Sequence, residues 1–267
     1  MIDNMFPRDE LIGFSRRQSK SFLRKTVRLG ELDEALADNW EIQRHNKASV
    51  SLIRPKLRSA LLESRVWTLF YRMGFPSLSG EGGAQLLISP TDPKSPKQQL
   101  DVVALDREVA LAIECKSFVK LRKDGSFSEK IAKLAAARRR FQSAVSKSFK
   151  SKGHVATVMF TWDVDLKEND WKRAKAEDVV LFDLQDLEYF EALVNHLGPA
   201  ARYLFLAEAF RGRKIAGCKS RCQLSVRAWG STYVTPFLSG RTTCSKWRTS
   251  PIGRRGKRSI SMHIREC

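Results

Sequence analysis

The chain has 267 residues, of which 42% are apolar, enough for one large domain with a buried core. No uncharged apolar run approaches 18 residues, so no membrane span is expected. Met1 to Glu10 carries charges where a secretion signal would be apolar, which points to a cytoplasmic protein. The net charge of +19 suggests a polyanionic partner, but much of it is concentrated late in the chain. From Arg213 onward there are 13 Lys or Arg against one acid, which leaves 35 basic and 28 acidic residues before that point.

Residues 1–50 are polar and charged and read as a helical N-terminal extension, with a helical stretch around Leu32 to Arg44. Pro55 suits the first turn of a helix that runs to about Met73 and stops at Gly74. Leu62, Val66, Leu69, Phe70 and Met73 form its buried stripe, with Glu63 at the edge. Ser79 to Gly83 is a turn, Ala84 to Ser89 a short strand, and Pro90 to Lys97 a loop.

Leu100 to Leu105 and Ala110 to Ser117 read as two strands about the turn Asp106-Arg107-Glu108-Val109. Their near-continuous apolar runs imply burial on both faces of a sheet. A helix capped by Ser128 continues to about Lys150, and Val155 to Trp162 is the next strand, making a crossover unit. Val179 to Phe182 is a further strand, followed by helices over Leu187 to His196 and Pro199 to Phe210. The alternation predicts an α/β fold: a mixed central β-sheet with helices on both faces. The domain is expected over 51–212, with 213–267 as a tail.

Chemistry concentrates on the hairpin. If Arg107 and Glu108 are the two central turn residues, Asp106 pairs with Val109, and counting outward sets Asp101 opposite Glu114. Side chains alternate, so Glu114 and Lys116 share a face and Cys115 points to the other. Facing carboxylates, their Cβ atoms about 5 Å apart, repel unless something positive lies between them. A divalent cation is the natural occupant, Mg²⁺ first and Mn²⁺ as an alternative. Such a metal acidifies a water and stabilises charge on a phosphate, while Lys116 orients or deprotonates the water or neutralises the transition state. The plainer reading is an edge hairpin with an ion pair between Lys116 and the two acids.

Leu100-Asp101-Val102-Val103 and Ile113-Glu114-Cys115-Lys116 resemble the PD-(D/E)xK nuclease superfamily, which is restriction-endonuclease-like. The resemblance covers about residues 51–210 in element order, and Leu100 stands where the superfamily's proline would be. It implies a metal-dependent DNA endonuclease with catalytic Asp101, Glu114, Lys116 and Glu63. The metal would lie on Asp101, Glu114 and Glu63, with Glu81 the alternative to Glu63. By the same resemblance, Gln142 or Arg138 on the crossover helix would face the phosphate. Duplex cutting by such folds often uses two copies, which leaves a homodimer open. The rival reading is a non-catalytic nucleic-acid-binding or regulatory module that keeps the fold.

The tail is rich in Arg, Ser, Thr, Cys and Trp and has no hydrophobic period, as expected of a GC-rich gene read out of frame. Shifting the frame over 217–229 and 243–267 permits strings similar to DGQHR-domain proteins related to DndB, a family linked to DNA phosphorothioation. A frameshift near Gly212 to Gly217 would explain this and would leave the tail disordered. It would also tie the domain to DNA modification or phage defence. Cys218, Cys222, Cys244 and His263 fit no standard zinc spacing.

Overall fold

The computed structural model describes residues 2–88, 95–122, 127–149 and 153–211. The tail, with its four cysteines, lies outside them. Strands β1 (Ile2–Asp3) and β2 (Met5–Pro7) lead into α1 (Ile12–Gln18). Next come β3 (Phe22–Arg28), α2 (Leu32–Ala37), β4 (Glu41–His45), β5 (Ser49–Pro55) and α3 (Arg58–Arg72). The central hairpin region holds β6 (Ser77–Ser79), β7 (Ala84–Leu87), β8 (Lys97–Leu100), β9 (Val102–Leu105) and β10 (Val109–Arg122). The domain ends with α4 (Phe127–Phe149), β11 (His154–Val164), α5 (Glu168–Ala176), β12 (Val179–Phe182), α6 (Leu184–Leu197) and α7 (Ala201–Ala209). Among the described residues no helix is long and apolar enough to cross a membrane.

The fold is α/β. A six-stranded mixed sheet runs in the order β12-β11-β10-β9-β6-β2, parallel across β10-β11-β12 and antiparallel from β10 outward. Side chains that alternate along one strand enter two different cores. Val102, Ala104, Leu111, Ile113 and Cys115 pack with α3, α6 and α7. Val103, Leu105, Ala110 and Ala112 pack with α4 on the opposite face. The stripe read on α3 is buried throughout, from Leu62 to Met73. Helix α6 is held by Asp183, whose carboxylate accepts the Asp186 N–H at 2.9 Å while Asp186 answers Asp183 N–H at 3.1 Å.

The hairpin has the predicted register. Leu105 pairs with Ala110, Ala104 with Leu111, Val103 with Ala112 and Val102 with Ile113. The turn is closed by Asp106 N–H donating to Val109 O at 2.8 Å.

Three expectations are corrected. The first 50 residues are not a polar helical extension. β1 pairs with β7, β2 forms an edge of the six-stranded sheet, and β3-β5-β4 is a separate antiparallel sheet. The helix expected over Leu32 to Arg44 stops at Ala37, because Asn39 takes a left-handed φ of 60° and the following segment pairs with β5. Long-range pairing outweighs a weak local helical preference here. Pro55 ends β5 rather than opening α3, which starts at Arg58. Its missing N–H costs nothing at a strand end. Finally, the strand read as Leu100 to Leu105 is broken at Asp101. β8 belongs to a three-stranded sheet β1-β7-β8, and β9 to the six-stranded sheet. Helix α5 carried no clear period in the sequence and was not anticipated.

Candidate functional site

Asp101 sits at the bend between β8 and β9, one step beyond the Val102–Ile113 pair, so the next position across the hairpin is Glu114. The bend is buttressed from behind. Gly83, at φ +74°, lies so close that a Cβ there would meet Leu100 O at 2.2 Å and Asp101 O at 2.8 Å. Asn4 Nδ2 donates to the carbonyls of Glu81 and Gly83, fixing that loop. Ser79 Oγ accepts the Val103 N–H at 3.0 Å, and Trp67 Nε1 donates to Ser79 O at 2.7 Å. Helix α3, the glycine loop and β9 are thus fastened together around the acid.

Asp101 Oδ2 accepts the Cys115 N–H at 2.7 Å. Lys116 Nζ stands 2.5 Å from Glu114 Oε1 in a half-buried ion pair. Cys115 turns into the α3-side core as a free, buried thiol. Burial pushes that thiol well above its ordinary range.

Glu63 is half-buried on α3 and makes no hydrogen bond or ion pair among the described residues. It comes from the helix layer opposite the one that Glu114 and Lys116 face, yet the four charges share one electrostatic neighbourhood where the strand is interrupted. Burial pushes the Asp101 carboxyl up to about 7. Glu114 and Glu63 add to the rise, and the Cys115 N–H and Lys116 oppose it. Glu63 is raised by burial and by Glu114, with Lys116 pulling it down. Burial disfavours the Lys116 charge, but its hydrogen bond to Glu114 and the nearby acids outweigh this, so its pKa is raised.

An open cleft of about 180 Å³ reaches two of these charges, Glu63 and Asp101, but not Glu114 or Lys116, and is walled also by Lys56, Gln18, Trp67 and Gly83. Lys56 was not singled out in the sequence, because an isolated lysine before a helix has no spacing signal. Its Nζ donates to Ser64 Oγ at 2.8 Å and to the carbonyls of Gln18 and Arg17 at 3.3 and 3.4 Å. Burial lowers its pKa. Gln18 Oε1 is buried there with no hydrogen-bond partner.

The other candidates fall elsewhere. Glu81 lines the cleft mouth, but its side chain is 81% exposed, 3.7 Å from Arg17. Arg138 is ion-paired to Asp178, just before β12, and Gln142 is exposed on α4. Neither is brought to the acids by a contact seen here. The sequence proposed them by resemblance, and α4 turns them to other partners or to solvent.

Among the described residues no three His, Cys, Asp or Glu side chains stand in ready metal-ligating geometry. Asp101, Glu114 and Glu63 nonetheless offer carboxylate oxygens, the donor type a hard cation takes.

No protein-family model matches the chain, and no curated protein does. Among solved structures, protein VC1899 from Vibrio cholerae is similar over 73% of this chain and 50% of that one, at 18% identity and a TM-score of 0.39. The chain therefore spans about half the length of that protein, and a likeness at this level carries no argument.

Proposed function

We propose that this domain is a metal-dependent nuclease hydrolysing phosphodiester bonds in DNA. The observation that supports it is the grouping of Asp101, Glu114, Glu63 and Lys116 at the break between β8 and β9, where burial and mutual repulsion raise two of the acids. Charges placed at such cost need a partner that neutralises them.

In this reading Asp101, Glu114 and Glu63 would hold Mg²⁺. When bound, the ion would supply Lewis-acid stabilisation and a more acidic water. The Cys115 N–H keeps Asp101 Oδ2 aimed across the hairpin. Lys116 exchanges its contact with Glu114 for one with the attacking water or the phosphate, where its positive charge offsets the charge that develops. Lys56 lies in the same cleft as a second basic group, its Nζ held by Ser64 Oγ and the carbonyls of Gln18 and Arg17. A link to DNA modification or phage defence rests on the resemblance of the shifted tail reading to DGQHR-domain proteins. Duplex cutting would use two copies of the domain.

The test is plasmid cleavage with Mg²⁺ and with EDTA, for the wild-type chain and for Asp101→Asn, Glu114→Gln, Lys116→Ala and Glu63→Gln. Metal-dependent cleavage lost in the first three, with folding retained, is expected. Equal cleavage in those variants would reject the reading.

The 2.5 Å Lys116–Glu114 pair favours one rival, a nucleic-acid-binding module without catalysis, since the lysine already neutralises one acid. That rival requires salt-dependent DNA binding that survives Glu114→Ala, together with no cleavage under any metal.

A further inference from the structure

The small sheet β3-β5-β4 has two faces of opposite character. Val27, Val50 and Leu52 pack under α2 with Ala35, Leu32 and Trp40. The cations on that face are absorbed locally: Lys25 and Arg54 lie over the Trp40 ring at 4.6 and 4.7 Å, and Arg54 also donates to Asp38 O. Exposed acids gather on the same side along and beside α2, Asp33, Glu34 and Asp38, while Glu31 Oε2 accepts the Arg28 backbone N–H at 3.3 Å.

The register sends a different set to the other face. Arg24 pairs with Ile53, Thr26 with Ser51 and Arg28 with Ser49 on β3-β5, and Arg44 pairs with Ser51 from β4. Paired residues of an antiparallel ladder share a face. Thr26, Arg24, Arg28 and Arg44 are all exposed. None of the three arginines forms an ion pair among the described residues, and the Arg24 guanidinium carbon lies over the Phe22 ring, 4.9 Å from its centroid. Glu41, opposite Ile53, is the acid on this side. Strand geometry puts Arg24 and Arg28 about 14 Å apart, with Arg44 level with Thr26 and about 10 Å across the sheet. Between them lie hydroxyls: Thr26, Ser49 and Ser51, with Asn46 Nδ2 reaching both serines.

We propose that this open face is a docking surface for the phosphodiester backbone of a nucleic acid. Three guanidiniums without an ion pair among the described residues, spread over a hydroxyl-lined sheet face, match a strand of evenly spaced phosphates. The acids beyond α2 repel the same strand from the back, which orients it. The end of the sheet leads to the cleft, because Leu23 of β3 lines it together with Lys56, which follows β5. Contacts of this kind carry no base recognition, so binding is insensitive to sequence. The inference shares a substrate class with the nuclease reading but concerns a different surface, and its test needs no cleavage.

The test is binding of fluorescent single-stranded and duplex DNA to the full chain in EDTA, across a salt series. The triple variant Arg24→Gln, Arg28→Gln, Arg44→Gln is compared with an equal charge removal on α4: Lys133→Gln, Arg139→Gln, Lys147→Gln. The basic residues beyond Arg213 contribute the same background to all three proteins. We expect the sheet triple to bind about tenfold or more weakly, with a salt slope shallower by about 2 for single strands and about 3 for duplex. The α4 triple is expected to stay near wild type. Equal weakening in the two triples would reduce the effect to net charge and overturn the proposal, as would no weakening in the sheet triple. Loss of binding to phosphatidylserine vesicles in the sheet triple, with DNA binding intact, would assign the face to a lipid surface instead. Loss of DNA cleavage in Mg²⁺ by Asp101→Asn, with this binding in EDTA unchanged, is expected and separates the docking face from the nuclease site.

Discussion

The Asp101 carboxylate accepts the backbone N–H of Cys115 at 2.7 Å, so the acid is tied to the opposite strand of its own hairpin. That bond lowers the cost of ionising a buried carboxylate, but burial and Glu114 still hold its pKa near 7. Several measurable consequences depend on this balance.

The first concerns pH and stability. A carboxyl raised from 3.8 to about 7 binds its proton more tightly when folded than when unfolded. Its contribution is therefore fully present below about pH 4 and is lost as pH rises through 7, on the order of 4 kcal/mol across that window. Asp101→Asn removes the penalty. Thermal melts without metal should show the variant more stable than wild type at pH 8, with the gap closing by pH 4. A constant gap across this range would contradict the assignment.

Neighbouring charges set the same midpoint with opposite signs. Glu114 raises it and Lys116 lowers it. Carboxyl-carbon NMR titrations should find the Asp101 midpoint lower in Glu114→Gln and higher in Lys116→Met. Shifts in the same direction for both variants would show that the two residues do not act on Asp101 as charges.

Divalent cations compete with that proton. Mg²⁺ should therefore raise the melting temperature more at pH 8 than at pH 6, and not at all in Asp101→Asn. Stabilisation of the variant equal to that of wild type would place any cation elsewhere.

Two adjacent glycines separate steric from backbone effects. Gly82 and Gly83 both have positive φ, 76° and 74°, but a Cβ on Gly82 meets nothing within 4 Å. Gly82→Ala should cost about 1–2 kcal/mol for its backbone alone. Gly83→Ala drives a methyl into the carbonyls of Leu100 and Asp101 and should cost about 2–4 kcal/mol. Urea unfolding checks both, and equal costs would mean that the loop relaxes away from the bend.

Ser79 is completely buried, and its hydroxyl receives the Val103 N–H. Ser79→Ala leaves that donor unsatisfied and should cost about 1–3 kcal/mol. Hydrogen exchange at Val103 should accelerate with it; an unchanged rate would show that a water replaces the hydroxyl.

Much of this arrangement was legible before any coordinates, for local reasons. A two-residue turn between apolar runs admits few registers, so the pairing from Leu105–Ala110 to Val102–Ile113 followed from counting, with Asp101 and Glu114 one step past its last rung. The α3 stripe followed from helical spacing. What escaped was decided at long range. Leu100 to Leu105 reads as one strand, and only pairing of β8 with β7, whose partner β1 holds Ile2 and Asp3, breaks it at Asp101. Strands of two or three residues at the N-terminus are too short to show a period. The small sheet stayed hidden because Glu41 to His45 holds one apolar residue, Ile42, and a single residue marks no alternation. Lys56 entered the site through hydrogen bonds to the carbonyls at the end of α1 and to Ser64 of α3, which no spacing encodes.

The break at Asp101 has one more consequence. The residue lies between two sheets and within neither, and its carboxylate stands in for a rung by accepting the Cys115 N–H. A side chain that keeps an acceptor at that point keeps the tie while the charge changes. A descendant of this gene can retire, restore or retool its acid in single steps while the scaffold persists.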